Sequence, residues 1–181
     1  MTQKPARKER PARPYTADSL RELALFYVGR FATSRAKLTR YLQRKLAERG
    51  WEGEAMPDVA GLVEAMAGYG YVDDAAFAET QARSLTRRGY GRRRVDMAVR
   101  AAGIAEEDRI RADAVTDGTR VSSALKLAQR RRWGPFASER IDDPAKRERM
   151  IGAFLRAGHD PAISRAILAL APGADTAELE E

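Results

Sequence analysis

An apolar residue every three or four positions, cut by a glycine and then begun again, constrains this chain more than any other feature. Leu20, Leu23, Ala24, Tyr27, Val28 and Phe31 fall at i, i+3, i+4, i+7, i+8 and i+11, which puts them on one stripe of a helix. Ser19 to Glu22 reads as a capping box at its start. Thr33 or Ser34 can cap a second helix, in which Leu38, Leu42 and Leu46 repeat until Gly50. Pro57-Asp58 opens a third, with Val59, Leu62, Val63 and Met66 inward. No run alternates with period two for long enough to suggest a sheet, so the expected fold class is all-α.

The pattern then recurs. Asp73 or Asp74 caps a helix through Phe77 and Leu85, Gly89-Tyr90-Gly91 turns the chain, Val95, Val99 and Ala102 line a second helix, and Ile104 to Val115 makes a third. Val121, Leu125 and Ala128 begin another set, continued by helices opening at Asp143-Pro144 and Asp160-Pro161, where proline after an aspartate cap is a start signal. Gly50, Gly103 and Gly158, fifty-three and fifty-five residues apart, mark the same junction in each set. The organisation predicted is a basic, disordered arm over 1–17, three three-helix repeats over 18–72, 73–116 and 117–171, and an acidic disordered tail over 172–181, with neither end packing. Repeats that touch only their neighbours predict an elongated array; a single nine-helix globular domain is the alternative.

Composition narrows the function. The 181 residues contain 33 Lys and Arg against 26 Asp and Glu, a formal net charge of +7, which favours an acidic partner and nucleic acid first. There is no cysteine and one histidine, His159, so thiol chemistry, Cys-ligated zinc and a His-rich metal site are excluded. The expectation is a non-enzyme without cofactor or metal. No apolar run approaches the roughly 20 residues of a membrane span, and the basic N-terminus lacks an apolar signal core, so a cytoplasmic protein with no membrane partner is expected.

The charge is segregated. Residues 52 to 82 hold seven acids and no Lys or Arg; residues 83 to 100 hold Arg83, Arg87, Arg88, Arg92, Arg93, Arg94 and Arg100 against Asp96 alone. At about 100° per residue Arg93 and Arg100 point away from the Val95 stripe, and Arg83 and Arg87 form a ridge on the preceding helix. Lys126, Arg130, Arg131 and Arg132 make a second block. One exposed Arg is ordinarily a solvated helix face, but seven beside a single acid carry a self-repulsion that a purely structural face does not need. Tyr90, Trp133 and Phe136 fit core or turn packing better than base stacking. Gly89-Tyr90-Gly91 lacks the strand and the Gly-Lys-Ser/Thr of a phosphate loop, Asp73-Asp74 is explained by capping, and His159 sits at a linker position with no assigned chemistry.

Gly70-Tyr71-Val72-Asp73-Asp74, Phe77, Arg88-Gly89-Tyr90-Gly91, Arg94-Val95 and Gly103-Ile104 closely resemble the signature of the RecX regulatory proteins. Ser34, Leu38 and Leu42 are similar to that family's first-repeat motif, and Trp133-Gly134 with Arg147 to Gly158 to its third, so the resemblance spans about residues 19 to 170. It implies a curved array of three-helix repeats lying in the groove of the RecA–DNA filament. The function it implies is inhibition of recombinase and coprotease activity, tempering DNA recombination, repair and the SOS response. Some members bind DNA themselves; the basic blocks here predict contact through phosphates without sequence preference, and a monomer is expected. A helix-turn-helix DNA-binding protein acting independently of RecA is the rival.

Overall fold

The computed structural model describes residues 13–179. Among them are nine α-helices and three 3-10 turns, with no strand beyond a single parallel bridge between Tyr15 and Trp51. The fold is all-α. The chain divides between Val72 and Asp73 into two compact units.

The first unit packs α1 (Ala17–Arg30), α2 (Arg35–Arg49) and α3 (Val59–Gly68) around Leu20, Ala24, Leu38, Leu42, Val63, Met66 and Val72. Its α1 starts earlier than Ser19. Thr16 is the N-cap, Ser19 occupies N3, and each side chain accepts the other's backbone N–H, so the capping box is Thr16 with Ser19 rather than Ser19 with Glu22. Burial of Tyr15 in the core fixes the chain just ahead of Thr16 and sets that start. Thr16→Ala is expected to cost about 1 kcal/mol in urea unfolding, the usual scale of a lost N-cap. Ser34, not Thr33, caps α2.

The chain ends depart from expectation where they are described. Of the basic arm expected over 1–17, residues 1–12 lie outside the described residues. From Arg13 onward the segment is docked: Tyr15 N–H donates to Gly50 O at 3.0 Å and Glu52 N–H to Tyr15 O at 2.9 Å. Arg49 donates twice to Arg13 O, at 3.1 and 2.7 Å, and stacks 4.2 Å over the Tyr15 ring. At the other end residues 180–181 lie outside the described part, but Gly173 N–H donates to Pro135 O at 2.8 Å and Leu179 packs against the last apolar cluster.

The second unit contains α4 (Asp74–Arg87), α5 (Arg92–Ala101), α6 (Ile110–Gly118), α7 (Arg120–Arg131), α8 (Pro144–Arg156) and α9 (Pro161–Ala169). Asp73 caps α4 through Ala76 N–H, and Asp143 and Asp160 cap α8 and α9 ahead of their prolines. Two apolar clusters lie inside. Phe77, Ala78, Ala82, Val95, Val99, Ile104 and Ala112 form one; Ala124, Leu125, Leu127, Ala128, Phe154 and Ile167 form the other. Only Thr119 separates α6 from α7, so the expected border at 116/117 falls inside α6. Fully buried Phe154 stands 5.7 Å from Trp133 and 5.7 Å from His159, ring centre to ring centre. Phe154→Ala should therefore lower stability by about 3–5 kcal/mol in chemical unfolding, the cost of emptying an aromatic site.

Candidate functional site

The basic residues are carried by the ends of α4, α5 and α7, and the Arg88-Gly89-Tyr90-Gly91 turn holds those ends together. α5 has no side-chain cap and no acid in its first turn. The amides at its start are met instead by carbonyls just past the end of α8: Gly91 N–H donates to Ala157 O at 2.9 Å and Arg93 N–H to Gly158 O at 3.1 Å. Each helix end thus satisfies polar groups that the other leaves open. The approach requires glycine on both sides, because a Cβ at Gly91 would fall closer than 3.0 Å to the Gly158 backbone, and one at Gly158 (φ +93°) closer than 3.0 Å to Arg94 N. The turn is therefore an inter-repeat joint and not a phosphate loop.

His159 belongs to this joint, in the α8–α9 linker where the sequence puts it. It is buried, edge-on to Phe154, and its Nε2 lies 3.0 Å from Gly89 O. A carbonyl can only accept, so Nε2 carries a proton. Burial pushes its pKa below the ordinary 6.5, against a smaller upward pull from the Gly89 carbonyl. As the pH falls below about 6.5 the unfolded chain takes up the proton first, so this contribution to stability is whole above that value and is lost as pH drops through the folded pKa. Unfolding between pH 7 and 5 should show that slope in the native chain. His159→Gln, which keeps an N–H for Gly89 O, should flatten it.

The structure separates the candidate cations into those already engaged and those left over. Arg83 binds Glu79 at 2.7 Å, Arg100 binds Asp96 at 2.9 Å, and Arg92 pairs with Asp117 and, at 3.9 Å, with Asp113. Arg130 Nη1 donates to Arg88 O at 2.9 Å, bringing the two basic blocks into contact. Arg88 and Arg94 lie over the Tyr90 ring, at 5.4 and 5.9 Å, and Arg131 lies 5.8 Å from the Trp133 ring. Trp133 and Phe136 pack against the last core. Arg87, Arg93, Lys126 and Arg132 are exposed and have no carboxylate partner among the described residues.

One cation was not singled out by the sequence. Arg120, the first residue of α7, lines a cleft of about 500 Å³ together with Arg92 and Arg93. Its signal was available: a cation in a first helical turn opposes the helix dipole, an arrangement that fold stability alone does not favour. Among the described residues no group of three His, Cys, Asp or Glu is placed to hold a metal ion, and no helix is long and apolar enough to cross a membrane.

Three-helix units joined backbone to backbone, with cations on the joining helices, define an all-α protein of three-helix domains. Residues 73–112 match the family model described as RecX, second three-helix domain. The chain is 30% identical over 172 residues to the Regulatory protein RecX of Myxococcus xanthus (strain DK1622), covering 90% of this chain and 92% of that one. It belongs to the RecX family of regulatory proteins, which are non-catalytic. The fold is also that of a crystal structure of RecX from Lactobacillus salivarius, with TM-score 0.58 and 18% identity over 83% of this chain and 93% of that one. A second crystal structure, of regulatory protein RecX, has TM-score 0.58 and 17% identity over 83% and 72%.

Proposed function

We propose that this chain binds the RecA–DNA filament in its groove and inhibits recombinase and coprotease activity, tempering recombination and the SOS response in the cytoplasm. Family membership points to RecA as the partner. The observation that carries the contact assignment is the surplus of exposed cations at Arg87, Arg93, Lys126 and Arg132, which no carboxylate among the described residues neutralises. An acidic protein groove or DNA phosphates would complement them, with no sequence readout. Successive three-helix units would offer successive contact surfaces on one monomer, and bridging neighbouring filament subunits favours one filament state by mass action. Adding the protein to a RecA strand-exchange reaction should slow it in proportion to occupancy of the filament; an undiminished reaction at saturating protein contradicts the proposal.

The helix-turn-helix rival needs the N-terminal residues of α5 free to meet base edges. Arg92, Arg93 and Arg94 at that end are exposed, so the test is whether binding depends on DNA sequence: a specific site would favour the rival.

A further inference from the structure

The cleft lined by Arg92, Arg93, Arg120, His159 and Asp160 is more than an extension of the basic face, because its walls come from three helix beginnings and one buried ring. Arg93 and Arg120 have no carboxylate partner among the described residues. Arg92 is the exception, held by Asp117 and Asp113 of α6. Asp160 is the acid of the cleft itself, and its Oδ1 accepts from Ala162 N–H at 2.7 Å, so that charge is directed at the start of α9. α7 begins at Arg120 with no side-chain cap and no acid in its first turn. His159 is 2% exposed and spends Nε2 on Gly89 O, leaving Nδ1 without a partner among the described residues. Two guanidiniums without a carboxylate partner and a histidine with one ring nitrogen unbonded line one space.

We propose that this cleft is a phosphate-binding site, in which Arg93 and Arg120 grip the phosphate oxygens and His159 Nδ1, on taking up a proton, adds a third donor. Guanidinium forks match phosphate geometry, and the first turn of a helix favours negative charge. A phosphodiester of a nucleic-acid strand and a small free phosphate share this chemistry. The site goes beyond the filament-binding proposal and stands without RecA, since protein and anion alone test it.

His159 is the sole histidine of the chain, so its imidazole proton signal in NMR reports on the cleft directly. Pyrophosphate added to the full-length protein should move that signal and raise the pH at which the ring titrates. A short single-stranded oligonucleotide that displaces pyrophosphate from the same signal assigns the cleft to a nucleic-acid backbone. A pyrophosphate response that the oligonucleotide leaves untouched assigns it to a small phosphate. Arg93→Gln with Arg120→Gln should weaken the response by about tenfold or more, the scale of lost charge-assisted hydrogen bonds. Arg140→Gln with Arg149→Gln, which removes equal charge elsewhere, should preserve it. A His159 signal indifferent to both anions overturns the proposal, as does a response that survives the first pair or is lost equally with the second. Strand exchange that continues uninhibited while His159 still responds would defeat the filament reading and leave the phosphate site standing.

Discussion

Gly158→Ala is expected to lower the stability of the second unit by about 2–5 kcal/mol, combining about 1–2 for an L-residue held in the left-handed region with about 1–3 for overpacking. The alanine Cβ would be driven into the Arg94 backbone, where no flexible side chain can yield. Gly91→Ala meets the same joint from the other side at φ −89°, so it carries only the packing cost, about 1–3 kcal/mol. Gly29→Ala is the contrast: nothing stands within 4 Å of its Cβ, and alanine in α1 should raise stability by up to about 1 kcal/mol. Denaturant midpoints for the three variants check the joint, and equal effects at Gly29 and Gly158 would contradict it.

The second large effect concerns binding. Reversing Arg87 and Arg93 to Glu removes no ion pair and no core contact, so folding stability should change by no more than about 1 kcal/mol. Against a complementary acidic surface the same change costs several kcal/mol, and inhibition of strand exchange should fall at least about a hundredfold. Arg83→Glu with Arg100→Glu has a different expectation. Those guanidiniums are shared with Glu79 and Asp96, so less of their charge is available to a partner, and their reversal sets two pairs of like charges four residues apart on α4 and α5. This pair should lose less inhibition and more stability than the first. Circular dichroism with the inhibition titration separates the two outcomes.

The helices were legible because a 3.6-residue period, aspartate caps and stop glycines are all local signals. What escaped was set by distant residues. Tyr15 looked like part of a proline-broken arm, and only Gly50, Arg49 and Glu52 show why it is held. His159 does sit in a linker, but its burial carried no local signal because its partner, Gly89, lies seventy residues earlier. The same distinction divides the arginines. The Glu79–Arg83 and Asp96–Arg100 pairs stand four apart and could have been read as helix pairs, which would have lowered the weight given to Arg83 and Arg100. Arg92 with Asp117 and Arg130 with Arg88 O bridge separate helices and carry no sequence signal.

Filament binding can be read by sedimenting the purified protein with RecA filaments on single-stranded DNA, beside the same DNA without RecA. The protein should pellet with the filament at concentrations where bare DNA leaves it in the supernatant, and Arg87→Glu with Arg93→Glu should abolish the difference. Equal pelleting with filament and bare DNA, or a preference for filament unchanged by that reversal, would contradict the proposal.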